Sequence, residues 1–379
     1  MANLSTTYVG LKLKNPIIVS SAGITGTAEL IKRAADNGAG AVVMKSLGDR
    51  TWTSPRFAVL HDPASDQTTF YSVEGHSKLG DQGYADQVAK AKASVDIPVI
   101  ASITSMNDAL WTQRAQLMEQ AGADALELDI SCPHGAHMLI GKDTLAEIGR
   151  VTELVKSAIH IPVIPKLTPQ ASDPIAVALD AQAHHADAIV MFNRFTGLDV
   201  DIRAQAPILH GGYAGHGGAW AIRYVMRWIS EVYPKLKIPI ASSGGIASAE
   251  DVVKMLLVGA TTVQTCTAVI LNGYGIVNTL VRGLEKYMDE MGHATIDEFR
   301  GRATERLQGA ATVDRTRKFM AAINAELCTA CAQCELVCIY DAPKPTDLGA
   351  YAIDPVRCSG CGLCAYLCAT EAITISEVK

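Results

Sequence analysis

The sequence predicts an α/β architecture, a (β/α)8 TIM barrel, followed by a small cysteine-bound module. Eight short apolar segments alternate with helix-like stretches over residues 15 to 290. The chain's 379 residues suffice for a barrel of about 250 residues plus an appendage. Eight of the ten cysteines lie between Cys328 and Cys368, and the 327 residues before them hold only Cys132 and Cys266.

The strand candidates are Pro16–Ser20, Ala41–Lys45, Pro98–Ile103, Ala125–Ile130, Pro162–Leu167, Ala188–Asn193, Pro239–Ser243 and Thr262–Thr267. Each is a near-continuous apolar run, as expected of parallel strands buried on both faces. Helix-like stretches between them include Ala28–Asn37, Asp108–Ala121, Thr144–Ile159, Pro174–His185, Trp220–Tyr233 and Ala249–Val258. An open doubly wound sheet is the alternative for the same alternation. Barrel enzymes gather their chemistry at the C-terminal ends of the strands. Lys45, Asp129 to Cys132, Lys166, Asn193 and Gly244-Gly245 all fall at such ends.

Residues 291–324 are polar, with scattered Arg and Glu, and read as a helical connector. The expected domains are therefore 1–290, 291–324 and 325–379. The net charge of -6 argues against nucleic acid or an anionic membrane as the main partner. No stretch reaches the roughly 18 consecutive apolar residues of a membrane span. The opening residues lack the basic and apolar regions of a signal peptide. A cytoplasmic, soluble protein is expected, in a compartment reducing enough to keep thiols free.

The cysteine block is the strongest motif. Cys328, Cys331, Cys334 and Cys338 form a C-x-x-C-x-x-C-x-x-x-C run, and Cys358, Cys361, Cys364 and Cys368 repeat it. This is bacterial ferredoxin spacing, in which the fourth cysteine of each run ligates the other cluster. One [4Fe–4S] cluster is expected on Cys328, Cys331, Cys334 and Cys368. A second is expected on Cys358, Cys361, Cys364 and Cys338. Paired C-x-x-C steps also build zinc sites, but zinc takes four ligands in two pairs and leaves a third step unexplained. The proline that often follows the fourth cysteine is replaced by Ile339 and Ala369, which removes no ligand. Two clusters imply a one-electron relay, and a flavin in the barrel would convert it to two-electron chemistry. Gly244-Gly245 and the turn at Cys266-Thr267 follow the last two strands, where barrels bind phosphate.

Over residues 10–285 the chain resembles the dihydroorotate dehydrogenase superfamily of flavin mononucleotide (FMN) barrels. The matching pieces are Asn15-Pro16, Ser21 to Gly23, Val43 to Ser46, Pro55-Arg56, Pro165 to Leu167, Asn193, Gly244-Gly245 and Thr267. The run Leu126 to Gly135, together with the ferredoxin-like tail, is most similar to the dihydropyrimidine dehydrogenase branch. The resemblance implies that Ala22, Gly23, Lys45, Ser46, Lys166, Asn193, Gly217, Gly244, Gly245, Cys266 and Thr267 line the flavin. It also implies that Cys132 is the acid/base working opposite hydride transfer at flavin N5; a thiol near pKa 8.5 can donate at neutral pH.

The implied substrate contacts depart from the family. Asp129, Ser72 and Lys78 stand where the family places pyrimidine-binding asparagines, and Arg194 follows Asn193 in place of a small hydroxyl residue. Asparagine both donates and accepts, whereas aspartate accepts and Lys or Arg donates. An anionic unsaturated compound is expected to suit Lys78 and Arg194, with His134 a further contact beside Cys132. Nothing resembles a nicotinamide-binding G-x-G-x-x-G unit after a strand, so an external electron donor or acceptor protein is implied. The resemblance further implies a homodimer. The alternative function is an electron-transfer subunit whose substrate chemistry lies on a partner chain. A tRNA-reducing barrel is disfavoured by the acidic balance and the lack of a basic tail.

Overall fold

The computed structural model describes residues 2–49, 57–62, 67–72, 75–130, 144–208, 212–309 and 311–378. The chain divides into two compact units, Met1–Arg306 and Leu307–Lys379.

The first unit is a barrel of eight parallel strands. They are β1 (Ile17–Val19), β2 (Ala41–Val43), β3 (Val99–Ile103), β4 (Ala125–Leu128), β5 (Val163–Pro165), β6 (Ile189–Met191), β7 (Ile240–Ser243) and β8 (Thr262–Thr265). Each pairs with the next, β8 returns to β1, and a Lys166–Val190 bridge closes the ring between β5 and β6. All eight expected strands are present, and the open-sheet alternative is excluded by that closure.

Among the described residues of this unit, eight helices of nine residues or more follow in turn: α1 (Ala28–Asp36), α2 (Asp81–Ser94), α3 (Asp108–Gln120), α4 (Thr144–Lys156), α5 (Pro174–Ala183), α6 (Ile222–Val232), α7 (Ala249–Leu257) and α8 (Gly275–Met291). Their starts are written in the sequence. Thr27, Asn107 and Asp173 cap α1, α3 and α5, and Ser248 with Asp251 forms a capping box on α7. Among the described residues no helix is long and apolar enough to cross a membrane.

The barrel's lower interior is unusually small-lined. Ala41, Ala125, Ala188 and Ala241 point inward with Ile18, Val43, Ile100, Ile164 and Val190. An antiparallel hairpin, Thr6–Tyr8 with Leu11–Leu13, fills the space those alanines leave by inserting Tyr8 and Leu13. A four-stranded antiparallel sheet (Phe57–Asp62, Gln67–Ser72, Ala214–Gly217, Phe195–Gly197) arises from the connections after β2 and β6. Neither helical nor alternating periodicity marks these strands in the sequence.

The segment expected as a helical connector corrects that expectation. It holds a 3-10 turn at Ile296–Glu298 and one short helix at Arg302–Glu305, then a strand, β9 (Lys318–Ile323), of the second unit. β9 pairs antiparallel with β12 (Ile373–Val378), and β10 (Pro343–Pro345) pairs with β11 (Tyr351–Ile353). Flanking charges mask Lys318–Ile323 as a strand in the sequence, although the six-residue run buries Ala321.

Candidate functional site

The C-terminal ends of β1, β2, β4, β5, β6, β7 and β8 open onto one groove. Its wider end, about 400 Å³, is lined by Gly217, Gly244, Gly245, Cys266 and Thr267, with Asn193 and Arg194. Asn193, Arg194, Phe192, Ser243 and Cys266 continue into a narrower end that reaches Ala22, Lys45, Ser46, Asp129 and Lys166. Ten of the eleven expected cofactor residues therefore meet in this groove. Gly23 does not: it is exposed at the start of a 3-10 turn, outside the groove lining.

The wide end is built from backbone. Gly244 and Gly245 take φ of 110° and 89°, and a Cβ on Gly245 would fall 2.4 Å from the amide nitrogen of Ile222. Only glycine satisfies both constraints. A short helix, Thr267–Asn272, begins immediately beyond Cys266. Loops after the last two strands and an extra short helix make the usual phosphate cradle of such barrels, so these residues fit the phosphate of FMN.

The narrow end is built from side chains. Lys166 is 5% exposed, and its Nζ lies 3.2 Å from Glu127 Oε1, 3.1 Å from Gln264 Oε1 and 3.3 Å from Ser20 Oγ. Gln264 Nε2 donates to Glu127 Oε2 at 2.8 Å, closing the network. A second network converges on Asp129. Ser46 Oγ donates to Asp129 Oδ2 at 2.9 Å, and Asn193 Nδ2 donates to Oδ1 at 2.7 Å. Ser21 and Ser102 hydroxyls lie 3.0 and 2.9 Å from Ser46 Oγ. Since the one proton of Ser46 goes to Asp129, both neighbours donate to Ser46.

Of the expected substrate residues, Asp129, Asn193 and Arg194 line the narrow end. Lys78 corrects the expectation: it is exposed and outside the groove. Ser72 is buried at the end of its strand, opposite Gly215, and is not on the groove lining either. Cys132 and His134 lie outside the described residues.

Sequence reasoning missed His76. It lines the narrow end with its Nδ1 buried and, among the described residues, unpartnered, and Gly48 makes room for it, since a Cβ there would sit 2.0 Å from that atom. Burial depresses the His76 pKa below the usual imidazole value, opposed by Asp129 and aided by Lys45. His216, on the neighbouring sheet, is depressed mainly by burial as well. A depressed histidine pKa contributes stability that is complete above the ordinary value near 6.5 and lost as pH falls through the lowered value. We expect the melting temperature to drop on acidification below about pH 6.5, with His76→Gln flattening part of that slope. An unchanged slope in the variant would remove His76 as a contributor.

The second unit is a near-duplicate of itself. Ala330, Ala332 and Asp341 have φ of 56°, 63° and 55°, and Gly360, Gly362 and Glu371, each 30 residues on, have 69°, 81° and 53°. Short helices Gln333–Leu336 and Leu363–Tyr366 sit at matching places. Cys338, Cys358, Cys361 and Cys364, drawn from both runs, line one cavity with Ala342 and Ile353. The amides of Ala342 and Ala321 donate to Cys338 Sγ and Cys358 Sγ, each at 3.4 Å. Among the described residues no three His, Cys, Asp or Glu side chains are set to hold a single metal ion. Sulfurs drawn from both runs around one cavity, with N–H donors on two of them, have the chemistry of iron–sulfur ligands.

Gly360 shows how tight that winding is. A Cβ there would lie 2.3 Å from the carbonyl oxygen of Phe319, at a φ of 69°. Gly360→Ala is expected to destabilise the second unit by about 2–5 kcal/mol, from left-handed strain plus overpacking. Hydrogen exchange of the Lys318–Ile323 amides in the intact chain reads it. Ala330→Gly, at the matching position, should leave those amides protected, and equal protection in Gly360→Ala would contradict the stated clash.

The comparisons with known proteins agree with this geometry. The family model described as dihydroorotate dehydrogenase matches residues 3–288. The NAD-dependent dihydropyrimidine dehydrogenase subunit PreA of Escherichia coli is 30% identical, over all of this chain and 96% of that protein. The catalytic subunit of dihydroorotate dehydrogenase B (NAD(+)) of Pyrococcus furiosus is 34% identical, over 78% of this chain and 96% of its own length. Its counterpart in Methanosarcina mazei is 33% identical, over 80% of this chain. The family match covers the barrel and its groove, while the PreA alignment runs on through both cysteine runs. The chain belongs to the dihydroorotate dehydrogenase family of oxidoreductases, close to the PreA subunit of dihydropyrimidine dehydrogenase.

Proposed function

We propose that this protein is an FMN- and iron–sulfur-dependent oxidoreductase that reduces, or forms, a polarised C=C bond. The observation that carries this reading is the continuous groove from the Gly244-Gly245 turn to the buried Lys166 network. When bound, FMN supplies hydride chemistry and two [4Fe–4S] clusters supply one-electron relay.

The chain's own residues do the rest. Gly217, Gly244, Gly245, Cys266 and Thr267 hold the phosphate end, Cys266 through its backbone. Ala22, Lys45, Ser46, Lys166 and Asn193 hold the ring end, where the lysine ammonium groups favour negative charge on a reduced ring. Cys132 delivers or takes the proton at the substrate carbon next to the one exchanging hydride. Cys328, Cys331, Cys334 and Cys368 would hold one cluster, and Cys358, Cys361, Cys364 and Cys338 the other. The ferredoxin-like domain is read as residues 325–379, preceded by β9 from the former connector. The names of the relatives include NAD, yet this chain has no G-x-G-x-x-G unit after a strand. A separate protein would therefore exchange electrons with the clusters, and a homodimer is the proposed assembly.

A second reading has the barrel serve as an electron-transfer subunit, which the word subunit in the PreA name favours. Anaerobic purification with iron, sulfide and flavin analysis tests both. About eight irons and one FMN per chain, with the reduced flavin reoxidised by an unsaturated substrate, is the expected result. A flavin that no candidate reoxidises would favour the second reading, and zinc in place of iron would overturn the assignment of the cysteines.

A further inference from the structure

Hydrogen-bonding capacity at the narrow end of the groove is unevenly spent. A pyrimidine presents alternating N–H and C=O groups and needs side chains that donate and accept together. Among the described residues Asn193 is the amide lining this end, and one of its N–H groups and one of its lone pairs are already used. Its Nδ2 donates to Asp129 at 2.7 Å, and its Oδ1 accepts the Arg194 amide at 2.9 Å. Asp129 is committed as well, with one oxygen on Asn193 and the other on Ser46.

Arg194 and His76 are differently placed. Among the described residues, Arg194 Nη1 and His76 Nδ1 are both buried without a hydrogen-bond partner, and both residues line the same narrow end. Gly215 lets the Arg194 guanidinium lie against its strand, since a Cβ there would fall 2.8 Å from Arg194 Cζ. A guanidinium does not shed its proton, so one with a buried nitrogen facing the groove suits an anion. Among the described residues lining this end, Lys45, Lys166 and Arg194 carry three positive charges and Asp129 one negative. Glu127, bonded to Lys166, offsets one more, leaving a net charge of +1 (3 − 1 − 1).

We propose that the substrate is an unsaturated carboxylic acid without a pyrimidine ring, its carboxylate seated against Arg194 and His76. This rests on the groove being the flavin and substrate site. It replaces Lys78 with His76 as the neighbour of Arg194. A planar guanidinium offers paired donors to the two carboxylate oxygens, and the imidazole closes the other side.

The test uses the oxidised holoenzyme and follows perturbation of the flavin visible spectrum. The probes are 2-enoic acids, including crotonate and cinnamate, against their matched primary amides and uracil. The acids are expected to bind at least about tenfold tighter than the amides, as charge-assisted hydrogen bonds predict. Arg194→Met should weaken acid binding by about 10- to 100-fold at unchanged FMN content, and Arg194→Lys should restore part of it. His76→Gln should weaken acids more than amides.

Equal binding of acids and amides by the wild-type protein overturns the proposal without recourse to any variant. Tighter binding of uracil than of every acid overturns it too. Loss of FMN from Arg194→Met and Arg194→Lys alike would assign the guanidinium to the cofactor and overturn it. Purified protein lacking flavin, and unable to take it up, would instead refute the underlying reading of the groove.

Discussion

Cys132→Ala is expected to leave FMN and iron contents unchanged while slowing turnover by about 10²–10⁴. The magnitude is that of a positioned acid or base, and the groups described at the narrow end explain why none of them should replace it. Asp129, three residues before Cys132 in sequence, is an acceptor whose two oxygens are held by Ser46 and Asn193. Lys166 is engaged with Glu127, Gln264 and Ser20. Both groups are fixed by bonds that a proton transfer would have to break. Among the described residues at this end His76 also has an unpartnered atom, and burial depresses its pKa, which makes it a poor proton carrier near neutral pH. Cys132→Ser should fall between wild type and alanine, because a hydroxyl keeps a proton in place but is a far weaker acid. Turnover in Cys132→Ala within threefold of wild type would remove the thiol from the chemistry. Single-turnover reoxidation of the reduced enzyme isolates that step from electron delivery.

What the sequence disclosed, and what it hid, follows from how each part is stabilised. The barrel strands were legible because burial on both faces leaves runs such as Ala41–Val43 and Ile189–Met191 without a polar residue. The cysteine module was legible because its two runs repeat one spacing thirty residues apart. The antiparallel sheet beside the groove was not. Gln67–Ser72 is mostly polar, and Ala214–Gly217 contains two glycines. Gly215 and Gly218, just past the strand, serve close approach: a Cβ on Gly215 would strike Arg194, and one on Gly218 would meet the carbonyl of Thr68 at 2.4 Å. Such contacts are between chain segments far apart in sequence and leave no periodic trace. Position matching with relatives pointed to Lys78 in the loop after Ser72, yet the fold turns His76 into the groove and leaves Lys78 in solvent. The identity of a loop residue is readable from sequence, but its direction is set by what it packs on, here the absent side chain of Gly48.

The Lys166 network allows a second large effect to be separated from catalysis. Lys166 and Glu127 side chains are 7% and 1% exposed, so each is the counter-charge that makes the other tolerable inside the barrel. Lys166→Met would strand the Glu127 carboxylate with Gln264 Nε2 as its remaining partner among the bonds described here. Breaking a buried pair from one side costs about 3–5 kcal/mol, whereas removing both charges costs far less. We therefore expect Lys166→Met to lower unfolding free energy by about that amount, and Glu127→Gln added to it to recover half or more. Glutamine keeps an amide beside Gln264 while discarding the stranded charge. Urea unfolding at fixed excess FMN measures all four members of the cycle, so that cofactor affinity does not masquerade as stability. A loss below about 1 kcal/mol in Lys166→Met would mean that the carboxylate takes up a proton or reaches solvent, and the lysine would then be kept for the flavin and not for the fold. Recovery in the double variant without recovery of turnover would show both roles in one residue: a charge that the barrel needs for balance and the ring end of the groove needs for chemistry.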